Sequence, residues 1–513
     1  MSRYLMMIEV SQKQAFIFRN KRLANNIYAS HLIQYITSEE CFQRIAQQEF
    51  EKGSIVYNGG GHTVLEFSSR GDAAAFSKKL TKHVMQQFRG LEVFVKIYEY
   101  NEALTPEENE KELTKRLEEK KARRKASFCQ QKFGIEAMGS GEKETDLAEI
   151  YKIEEKSMTT QTPIEKKIQA LLENYSLVHK FEDLGGSKGD ANFIAVVHID
   201  GNLMGKRVGQ LAESVNGNRT EKAEKGWEDY KEAKRKFSEC IDWDFKKAYY
   251  NMLKSVTEQI DNGMLPEKLS IKQREGKYSL PIRDIILAGD DVCFVTEGRI
   301  GVACAAAYLK SIWEQVNEVD KRNYSACAGV AIVHQKYPFY RAYELAEELC
   351  SNAKKMIAQL DTQASANVCA IDWHIEYGEM ENGLSQIRRQ YQNREGARLE
   401  MRPYIVCGDA ALLEKEKIRR YGHFQKFIAC MQKQELAARG KLKSMRTVLK
   451  DEEKAGVNYL KSNLLEDMAW QARECYELKE KDQSEKLFYQ TFDGEKRNML
   501  FDAIELADTY ITW

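Results

Sequence analysis

Proline is scarce in this chain, six among 513 residues, and long Glu/Lys-rich segments run without breaks, which together point to much helix. Cysteine is present but unpatterned. Eleven are scattered with no Cys-x-x-Cys pair, which argues against a zinc module or a disulfide framework and for reduced, mostly buried thiols. Neither sign of charge is in excess, with 78 Lys and Arg against 78 Asp and Glu, so no global field draws the chain to nucleic acid and any such contact must be local. No apolar run approaches the length of a membrane span, and the start Met1-Ser2-Arg3-Tyr4-Leu5 lacks a signal-peptide pattern. These absences predict a cytoplasmic protein without membrane contact. The length predicts two to four domains with ample core, and 43% hydrophobic against 30% charged residues fits a soluble globular chain.

What is there centres on Ile285-Ile286-Leu287-Ala288-Gly289-Asp290-Asp291-Val292-Cys293-Phe294-Val295. Two short apolar runs flank a glycine and two adjacent acids, the pattern of a β-hairpin with the acids at its tip. Neighbouring carboxylates repel unless a cation lies between them. Magnesium or manganese takes such hard oxygen ligands together with substrate phosphates. A third acid, Asp200, ends the strand-like run from Phe193. The turn after it, Gly201-Asn202-Leu203-Met204-Gly205-Lys206, opens a helix, a setting in which backbone N–H groups meet phosphate. Acids on adjacent strands are the two-metal arrangement of nucleotide-transfer enzymes. Gly-Asp is also ordinary turn chemistry, so the trio of acids, and not the pair alone, carries the metal reading.

Along the chain, Tyr4–Val10 reads as a strand and Gln14–Thr37 as one helix with Ile17, Leu23, Ile27, Leu32 and Ile36 on a face. Strands are expected at Ser54–Tyr57, Thr63–Phe67 and Leu91–Tyr98, and Asp72 is the expected cap of the helix between the last two. The later half has the same order: strands Ile282–Leu287 and Val292–Val295, a helix near Gly301–Val319, and a strand Ser325–Val333. This is read as an internal repeat of two α/β units. Overlaid, Gly60 meets Gly289, Gly61 meets Asp290, His62 meets Asp291, and Val10, within one position, meets Asp200. The first unit therefore lacks acids at its turn, and Gly59, Gly60 and Gly61 are expected to form a platform that lets backbone approach a nucleotide. His62 is taken as a turn residue without a metal role. Lys354 and Lys355, ending a helix, are candidates to meet a triphosphate or to offset the helix dipole. The mixed charge run Lys115–Lys125, with an RNA-facing role as its alternative, and the polar stretch Leu211–Lys236 read as solvated helix, and Gly139 to Lys143 as a loop. Val368–Trp373 is a further strand, and from Gly408 on the pattern is nearly all helical, without acids or histidines arranged as a site.

These residues resemble the large palm-domain subunit of type III CRISPR effector complexes, the Cas-ten/Cmr-two family, and more distantly diguanylate and class III nucleotide cyclases. The resemblance rests on His198 to Gly205, Ala288 to Asp291, Ser325 to Ile332 with Pro338, Ala353-Lys354, and Ile371 to His374. In the first unit it rests on Gln14 to Phe18, Ala29-Ser30 and Gly59 to Gly61. It implies an α+β chain of two ferredoxin-like palm domains packed face to face, with helical insertions and an all-helical C-terminal domain. The expected division is a degenerate first palm at 1–100, a mainly helical linker at 101–189, a second palm at 190–400 and helices at 401–513. The resemblance further implies ATP, or another NTP, bound between the palms and joined into a cyclic oligonucleotide messenger in antiviral defence. Asp200, Asp290, Asp291 and the Gly201 carbonyl would hold Mg²⁺ or Mn²⁺; Asn202, Met204, Gly205 and Gly289 would lie by the nucleotide. RNA or other effector subunits are the implied partners. Ala288 stands where the family usually has glycine, and no His-Asp dipeptide occurs, so no nuclease of that type is expected and a stand-alone relative is. The rival readings are a non-catalytic nucleotide- or RNA-binding scaffold and a mononucleotide or dinucleotide cyclase.

Overall fold

β1 (Tyr4–Ser11) is paired on both sides, by β3 (His62–Phe67) and β4 (Glu92–Glu99), while β2 (Gly53–Gly59) flanks β3. In this computed structural model the described residues are 3–19, 21–88, 90–123, 162–184, 192–216, 223–269, 271, 273–360, 367–378, 383–433, 438–478 and 486–511. The expected loop at 139–143 and the end of the basic run at Lys125 lie outside them. The first sheet has the order β2-β3-β1-β4, with helices Leu23–Ile36 and Glu39–Phe50 after β1 and Arg70–Gln87 after β3. This is the βαββαβ, ferredoxin-like arrangement.

The second unit repeats it around β5 (Phe193–Gly201). A short hairpin of β6 (Gln273–Arg274) and β7 (Lys277–Tyr278) precedes β8 (Ile282–Ala288), β9 (Asp291–Glu297) and β10 (Ala326–His334). The order β10-β5-β9-β8 matches the first sheet, and β11 (Cys369–Glu376) and β12 (Tyr404–Cys407) extend it at the β10 edge. The repeat read from the pattern is therefore a repeat of topology. Polar insertions follow as helices: Met204–Asn216 and a 39-residue helix Ala223–Asp261.

Several boundaries differ from the sequence reading for local reasons. The expected helix Gln14–Thr37 is two, Lys13–Ile17 and Leu23–Ile36, entered through Gln12 in a left-handed conformation. Ser69, not Asp72, caps the helix Arg70–Gln87: its hydroxyl accepts from the N–H groups of Gly71 and Asp72, which lies in the first turn. The helix from Gly301 ends at Trp313, where the chain turns towards Asn323. The C-terminal region is helical but carries a hairpin, β13 (Phe488–Gln490) with β14 (Lys496–Asn498). Its acids are not idle either: Asp502 and Glu505, both fully buried, bond Arg402 Nη1 at 2.7 and 2.5 Å.

The two units share a core. Met6, Ile8 and Val10 of β1, Ile27 and Leu32 of the helix Leu23–Ile36, and Ile194, Val196, Cys293 and Val295 of the second sheet belong to one buried cluster. Helix Leu23–Ile36 packs on β8, and helix Phe339–Ala358 covers β5, β10 and β11. Phe18 packs against Tyr343 at 4.1 Å and lies 5.5 Å from Phe339. Burying such rings stabilises the contact by about 1.5–3 kcal/mol each. Gly329 on β10 sets how close the covering helix comes: a Cβ there would fall 1.9 Å from the Ala346 carbonyl oxygen and 2.4 Å from Cys350 N. Among the described residues no helix is long and apolar enough to cross a membrane.

Candidate active site

The site is built from one strand end and one hairpin turn. Ala288 pairs with Asp291, so Gly289-Asp290 is a two-residue turn, and Gly289 has φ +64°, the left-handed conformation that glycine adopts without strain. Asp291, the first residue of β9, lies opposite Asp200 on β5. Residues directly opposite in an antiparallel pair project from the same face, so these two carboxylates are neighbours. Asp290 reaches the same place from the turn. A Cβ on Gly201 would sit 2.9 Å from Asp290 Cβ and 3.0 Å from Met204 Cγ, so the approach of the turn to the strand end needs glycine there. After it, Leu203 takes φ +60° and is exposed, a strained left-handed residue immediately before the helix at Met204.

The charges in this arrangement conflict. Burial pushes the Asp290 carboxyl up to about 6 and the Asp291 carboxyl up to about 7, and the charge of Asp200 adds to both. Asp291 Oδ1 is buried without a hydrogen-bond partner, although the side chain as a whole is 41% exposed. One cation answers part of this. Lys354 Nζ donates to Asp200 Oδ2 at 2.5 Å and to the Gly201 carbonyl at 3.0 Å. Burial alone would lower the lysine's pKa; Asp200 outweighs it and holds it above its usual value. Around the carboxylates, His198 Nδ1 lies 3.6 Å from Asp291 Oδ1 and 3.4 Å from the Tyr343 hydroxyl, with burial holding the imidazole neutral.

The first unit reaches into this place. Gln14 Nε2 donates to Tyr343 Oη at 2.9 Å and to Glu347 Oε1 at 3.2 Å. Lys13 Nζ donates to the Gly60 carbonyl, and its charge acts on Asp291. Gly60 and Gly61 take φ +58° and +75°, and Gly61 has no room for a Cβ beside Ile33 and Lys13, while Gly59 has open space around it. His62 Nε2 meets the Tyr57 hydroxyl at 3.0 Å, and burial, with Lys13 nearby, holds the ring down to about 3. The first unit carries no acid at its turn, but it has one on the adjoining strand. Glu9 pairs with His62 as Asp200 pairs with Asp291, so one acid is kept, and Lys121 neutralises it at 2.8 Å.

Of the remaining expected residues, Met204 is buried and Gly205 stands in open space at the helix start. Asn202 acts as a structural tie. Its N–H bonds the Ser325 carbonyl at 2.8 Å and its Nδ2 the Val368 carbonyl at 3.0 Å, joining the end of β5 to the approaches of β10 and β11. Lys355 is exposed one position round the helix from Lys354, and the structure does not bring it to the carboxylates. The sequence reading does not single out Lys13, His198, Tyr343 or Glu347 as site residues. Tyr343, Glu347, Cys350 and Lys354 follow at i, i+4, i+7 and i+11, one face of a helix, which is the signal that finds Tyr343 and Glu347.

Oxygen-only donors of this kind suit magnesium or manganese, and the orphaned Asp291 Oδ1 and upward-shifted acids fit a bound cation. Among the described residues, however, no three acid, histidine or cysteine side chains converge in ligand geometry. Lys354 instead bonds the Asp200 and Gly201 oxygens.

Known proteins share this fold. The family model described as Cas10/Cmr2, second palm domain, matches residues 193–362. The apo Csm1-Csm4 cassette is 13% identical with a TM-score of 0.54, covering 99% of this chain and 70% of that one. A Csm1-Csm4 cassette in complex with pppApApA is 13% identical, TM-score 0.51, covering 99% and 69%. A cassette in complex with cA4 aligns at 14% identity and TM-score 0.45 over 72% of this chain, which spans about half, 54%, of that chain's length. At such identities the likeness is one of fold. A search of curated proteins gave no match. Residues 193–362 are thus similar to the Cas10/Cmr2 second palm domain, and the rest of the chain is like the Csm1-Csm4 cassettes in fold alone.

Proposed function

We propose that this chain is a metal-dependent nucleotidyltransferase that joins ATP, or another NTP, into a cyclic oligonucleotide second messenger. The observation that carries the reading is the meeting of Asp200, Asp290 and Asp291 at one strand end and turn, with two of the three held well above the ordinary carboxylate range. Asp200, Asp290, Asp291 and the Gly201 carbonyl would hold Mg²⁺ or Mn²⁺. When bound, the metal would supply charge neutralisation for the triphosphate and its leaving pyrophosphate. The chain's own residues do the rest. Lys354 swings from Asp200 to the phosphates, and the N–H groups at Met204 and Gly205 face them at the helix start. The first unit, through Gly59 to Gly61, Lys13 and Gln14, forms the opposite wall and orients a second nucleotide. Support from relatives is that solved Csm1-Csm4 cassettes of the same fold carry pppApA and pppApApA. By the match of residues 193–362 to that family model, other effector subunits or RNA are the proposed partners.

The second reading, a scaffold subunit that holds nucleotide or RNA without turnover, has one observation in its favour: the Lys354 ammonium sits on the oxygens a metal would need. Thermal melting separates the binding chemistry from mere anion binding. ATP with Mg²⁺ or Mn²⁺ should raise the melting temperature well above ATP with EDTA, because ligand bound to the folded state stabilises it in proportion to its affinity. Equal shifts with and without metal would count against a metal-bridged triphosphate.

A further inference from the structure

A cavity of about 400 Å³ opens beside the same turn, lined by ten residues from Asn202 to Asn367. Four of the ten, Lys206, Arg207, Lys321 and Arg322, are cationic and none is acidic, in a chain whose charges balance overall. The nearest acid in the loop, Asp320, has both oxygens taken by Arg207, at 2.8 and 2.7 Å. Arg207 is buried and also donates to the carbonyls of Asn323 and Arg322, each at 3.2 Å, so it clamps the loop to the helix Met204–Asn216 as a fixed arch. Arg322 is steadied by Gln210 Oε1 at 2.5 Å, while Lys206 and Lys321 are exposed and free to turn inward. Clustered cations at a concave surface raise the local potential for anions.

We propose that this cavity binds a chain of linked phosphates, the 5′-triphosphate of a nucleotide or of a short oligonucleotide. The phosphate chemistry rests on the cavity alone; that the phosphates belong to a nucleotide rests on the function proposed above. Its wall from Asn202 to Lys206 continues the turn that follows Asp200, so a phosphate tail held here belongs to a molecule lying beside the carboxylates.

The test uses the full chain in EDTA at low salt, with sodium tripolyphosphate, ATP, a 5′-triphosphorylated adenosine trimer and adenosine as probes. Tripolyphosphate should raise the melting temperature and adenosine should not. Lys321→Glu with Arg322→Glu should weaken tripolyphosphate by at least ~10-fold, since each lost charged contact is worth about one decade. Lys206→Gln should weaken it less, and Lys78→Glu with Lys82→Glu, on another exposed helix face, should leave it unchanged. A larger effect of the trimer than of ATP assigns the cavity to an oligonucleotide, the reverse to the free nucleotide. No tripolyphosphate effect in the wild type, or a full effect in the charge-reversed variant, overturns the proposal. Because EDTA removes divalent metal, either result is independent of whether the carboxylates turn nucleotide over.

Discussion

Lys354 holds Asp200 and the Gly201 carbonyl together, so a divalent cation on those oxygens must first displace an ammonium. Two like charges cannot share one carboxylate oxygen at these distances without a penalty that exceeds a surface ion pair. Lys354→Met should therefore bind Mn²⁺ more tightly than wild type in the absence of nucleotide, by roughly tenfold, read from the free-Mn²⁺ paramagnetic resonance signal. The same variant should bind ATP with Mg²⁺ more weakly, because the lysine is then missing from the phosphates. Unchanged Mn²⁺ affinity would sink the displacement argument. The acids themselves were legible in the sequence, since Gly289-Asp290-Asp291 is a turn signal and Asp200 ends an apolar run. Their counter-ion was legible only as a helix-end lysine. Its pairing with Asp200 spans 154 positions and depends on how a helix is laid over a sheet, which no local pattern encodes.

Among the elements, that helix is the one whose placement matters most. Phe339–Ala358 brings Tyr343, Glu347 and Lys354 to the site and is let down onto β10 at Gly329. Gly329→Val should push it away. Overpacking of this kind costs about 1–3 kcal/mol, and in a chain of this size that lowers the melting temperature by roughly 2–4 °C per kcal/mol. Nucleotide affinity should fall further than stability does, because the displaced helix carries Lys354. A variant that melts lower yet binds ATP with Mg²⁺ as before would show that the helix position is not what sets the site. The paired α/β units could be read in advance because alternating apolar runs and glycine turns recur in one order, and the register repeats with them, Glu9 with His62 and Asp200 with Asp291. The break between Ile17 and Leu23 could not, since the apolar spacing continues through Phe18 and Arg22, where the backbone leaves the helical conformation.

At the scale of the molecule, the two sheets share a core across their facing helices, and the C-terminal helices are fastened to the second sheet by β12 and by buried ions. Asp372 on β11 bonds Arg388 at 2.7 Å, and Arg402 bonds Asp502 and Glu505, all of them almost wholly buried. Breaking such a pair strands its partner's charge and costs about 3–5 kcal/mol. Arg402→Met should therefore lower the denaturation midpoint of the whole chain, and Asp502→Asn with Glu505→Gln added should restore part of the loss. No recovery in the triple variant would mean that packing, not stranded charge, explains the effect. None of this was visible in the sequence, where the ions are spread between positions 372 and 505 and look like ordinary helix charge.

In the proposed function the carboxylates at the end of β5 and the tip of the β8–β9 hairpin join nucleotides. The direct measurement is incubation of the chain with labelled ATP and Mg²⁺ or Mn²⁺, with and without candidate RNA, followed by product chromatography. Wild type should form cyclic oligonucleotide, and Asp290→Ala with Asp291→Ala should form none while melting, metal-free, close to wild type, since removing crowded negative charge does not weaken the apo fold. A double variant that makes as much product as wild type, or a wild type that makes none with any nucleotide, metal or RNA, would contradict it.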